Sequence, residues 1–172
     1  YLRALETIFY YQNREVPLRY SFFLRLPVKQ RSDFIDKIKA KKKFWVEIIA
    51  FCLMPNHFHL LLKQVRENGI STFVSNLTNS YTRYFNTKQK RVGPLFQGKF
   101  KAVRVETDEQ LVHLSRYIHL NPYSSYLLKN LKALEGYSFS SFSEYLNPEK
   151  GSYCRKELVL GQFKNPADYK KF

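Results

Sequence analysis

The sequence predicts an α+β domain, an antiparallel sheet with helices packed on one face, and three observations predict it. The apolar, β-branched run Trp45 to Leu53 is followed by Met54-Pro55-Asn56 and a second apolar run, His57 to Lys63, which reads as an antiparallel hairpin. Two later segments repeat apolar residues at helical spacing, each behind a plausible capping residue. The order of elements is strand, helix, hairpin, helix, strand, helix, without internal repeats or low-complexity stretches.

Taken in order, Thr7 to Tyr11 has the β-branched and aromatic content of a first strand. From Pro17, a favoured first helical position, Leu18, Phe22 and Leu26 recur at helical spacing until Pro27 interrupts them. Ser32 caps a second piece with Phe34, Ile35 and Ile38 on one face, leading into Lys41-Lys42-Lys43. After the hairpin, Gly69 opens a loop and Ser71 caps a long helix whose stripe is Phe73, Leu77, Tyr81, Tyr84 and Phe85. That stripe reads as core rather than as a binding surface. Phe96 to Val105 alternates as a further strand carrying Lys99, Lys101 and Arg104.

Thr107-Asp108-Glu109-Gln110 reads as a capping box, with Gln110 reaching back. The helix that it starts should end near Leu120, because Pro122 restricts the residue before it. Leu111, Leu114 and Ile118 would pack inward, while Tyr117 and Asn121, four residues apart, share another face with His113 one turn earlier. The segments Tyr137 to Tyr145 and Tyr153 to Phe172 read as small irregular or helical additions. We expect one domain over 1–145, with 146–172 as its C-terminal extension.

The composition narrows the function. A chain that is 44% hydrophobic and 17% aromatic is no disordered tail, and 172 residues suffice for one domain with a proper core. Lys and Arg number 29 against 14 Asp and Glu, a net charge of +15 that points to a polyanionic partner. Basic residues alternate with aromatics in Lys41-Lys42-Lys43-Phe44-Trp45, Arg83-Tyr84-Phe85 and Lys99-Phe100-Lys101, a pattern suited to holding phosphates while stacking unpaired bases. The candidate DNA contacts are Lys41, Lys42, Lys43, Arg83, Lys99, Lys101 and Arg104; a merely solvated basic surface is the competing reading. Cys52 and Cys154 lack metal spacing and read as reduced, cytosolic cysteines. No apolar run approaches membrane-spanning length and the opening lacks a signal-peptide layout, so a soluble, intracellular protein is expected. The missing initiator Met points to a true N-terminus upstream of Tyr1.

His57-Phe58-His59 is the most informative motif. On a strand, His57 and His59 point the same way, about 6.5 to 7 Å apart at Cα, while Phe58 faces the core. That spacing suits chelation, although a strand edge with two solvated histidines would look the same. Two imidazoles and the Asn121 amide oxygen make an open N,N,O set. Such a set suits Mg²⁺ or Mn²⁺ better than zinc, which prefers Cys or carboxylate ligands and a fourth donor when structural. Tyr117, one turn before Asn121, is the candidate nucleophile: its phenolate is a good nucleophile and a reasonable leaving group, so a phosphotyrosine bond is reversible. His113 and His119 could serve as general acid, as outer support for the metal, or simply as helix surface.

Leu53-Met-Pro-Asn-His-Phe-His-Leu-Leu-Leu62, Gly93-Pro-Leu-Phe-Gln-Gly-Lys-Phe-Lys101 and Arg116-Tyr-Ile-His-Leu-Asn-Pro122 together resemble successive motifs of the single-tyrosine HUH transposase superfamily. The nearest branch is that of the REP-associated tyrosine transposases. The resemblance covers roughly residues 40 to 145. It implies a ferredoxin-like antiparallel sheet, His57, His59 and Asn121 as metal ligands, and Tyr117 as nucleophile. It further implies cleavage of single-stranded DNA beside a hairpin, leaving a 5′-phosphotyrosine and a free 3′-OH. Asn121, where insertion-sequence relatives usually have Gln, favours the REP-associated branch. The Asn-Arg-Gly turn expected after the first strand is absent from Tyr1 to Glu15, and the chain stops at Phe172, where relatives often continue as a basic tail.

The expected function is therefore a metal-dependent DNA endonuclease and strand transferase acting on single-stranded or hairpin DNA. It would be cytoplasmic and associated with the bacterial nucleoid, and a monomer in preference to a homodimer. A non-catalytic module that binds structured DNA, derived from a transposase, is the alternative. A metal-dependent phosphodiesterase using activated water is a third reading.

Overall fold

The computed structural model describes residues 1–148 and 153–172, and the chain divides into two compact units. One, the helical unit, comprises Leu2–Val46 and Gln64–Lys101; the other, the hairpin unit, comprises Tyr1, Glu47–Lys63 and Ala102–Phe172. The α+β class is observed.

In the helical unit, α1 (Leu2–Tyr11), α2 (Tyr20–Phe23) and α3 (Val28–Lys41) precede the hairpin, and α4 (Gly69–Gln89) follows it. The expected strand over Thr7 to Tyr11 is instead the second half of α1. Thr7, Ile8, Tyr10 and Tyr11 are its buried residues, and the Thr7 hydroxyl donates to the Arg3 carbonyl at 2.6 Å, one helical turn back. Packing of α1 against α4 overrides local β preference. Strand-like pairing survives just beyond it, where Asn13 bridges Phe44 and the Trp45 amide donates to the Gln12 carbonyl at 2.8 Å.

The helix expected from Pro17 is shortened to α2. Tyr10 donates to the Leu18 carbonyl, and Tyr20 and Phe23 join Tyr10 and Phe34 in an aromatic cluster. Helix α3 begins at Val28 rather than at Ser32, because Pro27 already has an extended backbone at the N-cap, with ψ of 150°. Its C-cap, Lys42, is left-handed, with φ of 47°. Helix α4 starts at Gly69, two residues before the expected Ser71 cap. Gly69 lies so close to the backbone that a Cβ there would collide with the Trp45 carbonyl oxygen. Phe73 and Leu77 of its stripe are buried, whereas Tyr81, Tyr84 and Phe85 are half-buried.

The hairpin unit centres on β1 (Val46–Leu53) and β2 (Phe58–Gln64), an antiparallel pair whose turn is closed by the Met54 amide donating to the His57 carbonyl at 2.9 Å. Every residue of β1 except Glu47 is buried, as befits a strand covered on both faces. Residues 139–141 also pair with β1, through Leu53 N–H to Phe139 O at 2.8 Å and Ser141 N–H to Phe51 O at 3.0 Å. Phe96 to Val105, expected as a strand, has no regular ladder among the described residues. Gly98 turns left-handed at φ 66°, and Val103 is 83% exposed, so the alternating pattern has no sheet face to cover.

Helix α5 (Asp108–Ser124) begins at Thr107 as expected: the Thr107 hydroxyl accepts from the Gln110 amide at 3.1 Å. Gln110 Oε1 reaches back one residue further than a capping box requires, accepting from the Glu106 amide at 2.9 Å. The helix overruns its expected end at Leu120. Pro122 sits in the last turn, where losing one amide donor is tolerable, and Ser125 N–H still donates to the Asn121 carbonyl at 3.0 Å. A 3-10 turn (Leu131–Gly136), α6 (Phe142–Leu146), α7 (Glu157–Leu160) and α8 (Pro166–Lys171) complete the unit. Residues 149–152 of the expected 146–172 extension lie outside the described residues. Ile49, Cys52, Leu61, Ile118, Tyr145 and Val159 form the centre of its core, to which Tyr169 of α8 also belongs.

Candidate functional site

The site is built wholly within the hairpin unit, from the start of β2 and the last two turns of α5. His57 lies in the turn immediately before β2 and is exposed. Its Nδ1 is 2.7 Å from Asn56 Oδ1. An amide oxygen only accepts, so Nδ1 carries the proton and the lone pair of neutral His57 is on Nε2. In the sequence Asn56 reads only as a turn residue; its position directly before the first histidine is the signal for this contact.

His59, on β2, is half-buried, and its ring lies 4.9 Å from the His57 ring and 5.5 Å from the Tyr117 ring, edge-on to both. Burial lowers its pKa and the His57 ring lowers it further, while the Asn121 amide opposes them, so His59 is neutral at physiological pH. His59 Nε2 and Asn121 Oδ1 are both buried, and neither has a hydrogen-bond partner among the described residues. Asn121 is thus near enough to act on His59 electrostatically without forming a bond of acceptable geometry. Two such buried polar atoms are unfavourable by themselves, and a cation would satisfy both in the tautomer that leaves the lone pair on His59 Nε2. The donor set therefore fits a divalent ion, although no group of three or more His, Cys, Asp or Glu suited to a metal occurs among the described residues. Tyr117 presents its ring to solvent, 53% exposed, on the same helix.

The structure brings His57, His59 and Tyr117 into ring contact, with Asn121 acting on His59. It separates the other two histidines from them in role. His113 is on the exposed surface of α5, 4.0 Å from Glu109 and against the Phe172 ring. His119 is fully buried, hydrogen-bonded to Tyr169 and Ser141, and burial drives its pKa down to about 3.

All seven candidate DNA contacts are exposed. Lys41 and Lys43 converge on Glu15, at 2.8 and 2.6 Å, a partner that sequence reading missed because it lies on a different segment. Lys42, Arg83, Lys99 and Lys101 belong to the same helical unit, whereas Arg104 belongs to the hairpin unit. Cys52 and Cys154 are both buried thiols; burial pushes the Cys52 thiol up to about 12 and raises that of Cys154 as well, so neither is a reactive thiolate. No helix among the described residues is long and apolar enough to cross a membrane.

A histidine pair at the head of β2, beside a tyrosine and an amide of α5 in a strongly basic α+β chain, suits chemistry on nucleic acid. The family model described as "Transposase IS200 like" matches residues 19–121, a span that contains all four residues, and the chain belongs to that family. Membership makes this a transposase-like DNA-processing protein, with DNA as its partner and DNA recombination and transposition as its field of action. The family generally uses a divalent metal. No curated protein and no solved structure compared with the chain matches it.

Proposed function

We propose that the protein is a divalent-metal-dependent endonuclease and strand transferase for single-stranded or hairpin DNA, acting through a 5′-phosphotyrosine on Tyr117. The observation that carries this reading is the pair of buried polar atoms, His59 Nε2 and Asn121 Oδ1, that have no hydrogen-bond partner among the described residues and lie in the site with the Tyr117 ring beside His59. His57 Nε2, His59 Nε2 and Asn121 Oδ1 would hold Mg²⁺ or Mn²⁺, the imidazoles favouring Mn²⁺ of the two. When bound, the ion polarises the scissile phosphate and offsets charge on its oxygens.

Tyr117 Oη gives its proton to solvent and attacks phosphorus. The Tyr117 O–P bond forms as the P–O3′ bond breaks, and the 3′ oxygen takes a proton to become a free 3′-OH. Attack by an incoming 3′-OH reverses these steps, freeing the phenol and rejoining the strand without an external energy source, because one phosphoester replaces another. Asn56 holds the His57 ring in the tautomer that frees Nε2. Lys41, Lys42, Lys43, Arg83, Lys99, Lys101 and Arg104 are proposed as backbone contacts. Asn121 supports the REP-associated branch, and with it hairpin substrates, a monomeric enzyme and a place at the nucleoid in the cytoplasm.

The test uses hairpin DNA labelled at either end, incubated with Mn²⁺ or Mg²⁺ and resolved on denaturing gels. A protein-linked strand that disappears in Tyr117→Phe is expected. Cleavage that persists in that variant sinks the assignment, and cleavage without any adduct transfers it to activated water. Binding without cleavage in either metal makes the protein a structured-DNA-binding module.

A further inference from the structure

We propose that Tyr126 is a stacking platform for an unpaired base of the DNA, at a subsite beginning where α5 ends. This rests on the DNA-processing reading above and specifies one part of it. Tyr126 is 94% exposed and has a φ of 61°, a left-handed conformation that a bulky L-residue rarely adopts. Its side chain makes no hydrogen bond and no ring contact among the described residues. The fold therefore gains nothing visible from the ring while carrying the backbone strain that comes with it.

The strain is held in place from both sides. Ser125 N–H donates to the Asn121 carbonyl at 3.0 Å, Tyr126 N–H to Tyr123 O at 2.9 Å and Leu128 N–H to Pro122 O at 2.8 Å. Downstream, Asn130 Oδ1 caps the 3-10 turn by accepting from the Ala133 amide at 3.0 Å, and Leu134 of that turn is buried. Tyr126 is thus presented outward on a fixed backbone, so little ordering is needed when a planar partner settles on it.

The neighbouring sequence says what the partner is. Leu127 and Leu131 are also exposed, at 39% and 54%. Lys129 and Lys132 are exposed and have no ion pair among the described residues. An apolar ring flanked by unpaired cations suits a strand that offers both base faces and phosphates. At about 1.5 Å per residue, Ser124 is roughly 10 Å along the helix from Tyr117, or about three stacked nucleotides. The base in question thus lies a few nucleotides from the phosphate at Tyr117.

The experiment uses the full chain and a hairpin oligonucleotide with an unpaired tail carrying 2-aminopurine at successive positions. Fluorescence quenching, affinity and thermal unfolding are measured for the wild type, Tyr126→Phe, Tyr126→Ala and Tyr126→Gly. Wild type and Tyr126→Phe should quench the probe at one tail position. Tyr126→Ala and Tyr126→Gly should lose that quenching and bind on the order of tenfold more weakly. Tyr126→Gly should nevertheless unfold at the same or a higher temperature, because glycine adopts positive φ without strain. Undiminished binding by Tyr126→Gly or Tyr126→Ala overturns the subsite alone. A wild-type chain that binds no DNA overturns the DNA-processing reading and the subsite with it.

Discussion

His119 Nε2 lies 2.7 Å from the Ser141 hydroxyl, joining the helix of Tyr117 and Asn121 to the segment that pairs with β1. One arrangement of protons satisfies the short bonds of this network, at the expense of the longer, 3.3 Å contact from the Ser141 hydroxyl to the Phe51 carbonyl. Ser115 donates to the Val112 carbonyl at 2.7 Å, so Tyr169 donates to Ser115 and accepts from His119 Nδ1–H at 2.7 Å. Nε2 is then free to accept from Ser141, whose oxygen in turn accepts from the Phe51 amide at 2.9 Å. A neutral imidazole offers one donor and one acceptor, which is what this chain of bonds requires.

Removing the hub should therefore cost stability through both a cavity and stranded partners. His119→Ala is expected to destabilise the protein by about 2–4 kcal/mol in urea denaturation. Ser141→Ala, which takes the hydroxyl away from the Phe51 amide and from His119 Nε2, should cost about 1–3 kcal/mol. An unchanged midpoint in both variants would mean that the network carries no net stability.

Asn121 should behave in the opposite way. Its Oδ1 is buried without a hydrogen-bond partner among the described residues, so Asn121→Leu removes an unsatisfied group rather than a bond. Without metal, the variant should be as stable as the wild type or more so. With Mn²⁺, the wild type should gain about 2.7 kcal/mol at a hundredfold excess over Kd, while the variant gains little. Scanning calorimetry with and without Mn²⁺ checks this; an equal metal-induced shift in both proteins removes Asn121 from the ligand set.

Much of this site was legible in the sequence because its parts are local. The Thr107 cap, the i, i+4 relation of Tyr117 and Asn121, and the hairpin around Met54-Pro55-Asn56 each depend on residues a few positions apart. What escaped depends on distant packing. The helical state of Thr7 to Tyr11 follows from its contact with α4, not from its β-branched and aromatic content. His119 could not be told from a surface histidine, because its partners Ser141 and Tyr169 lie 22 and 50 residues away. Phe96 to Val105 shows the converse: alternation alone makes no strand where no neighbouring backbone is offered.

Glu15 was invisible for the same reason, and it carries a pH dependence. Hydrogen bonds from Lys41 first and Lys43 second hold its carboxyl at about 2, below the ordinary value of 4.5. The folded state therefore binds this proton less readily than the unfolded state does. The stabilisation is fully present above about 4.5 and is lost as pH falls toward about 2. Urea midpoints measured across that window should fall less steeply with acidification in Glu15→Gln than in the wild type. The same substitution frees two lysines, so affinity for single-stranded DNA at neutral pH should rise. The logarithmic dependence on salt should steepen by up to about 0.7 for each lysine that gains a phosphate. An unchanged salt slope would mean that Lys41 and Lys43 face solvent and not the DNA.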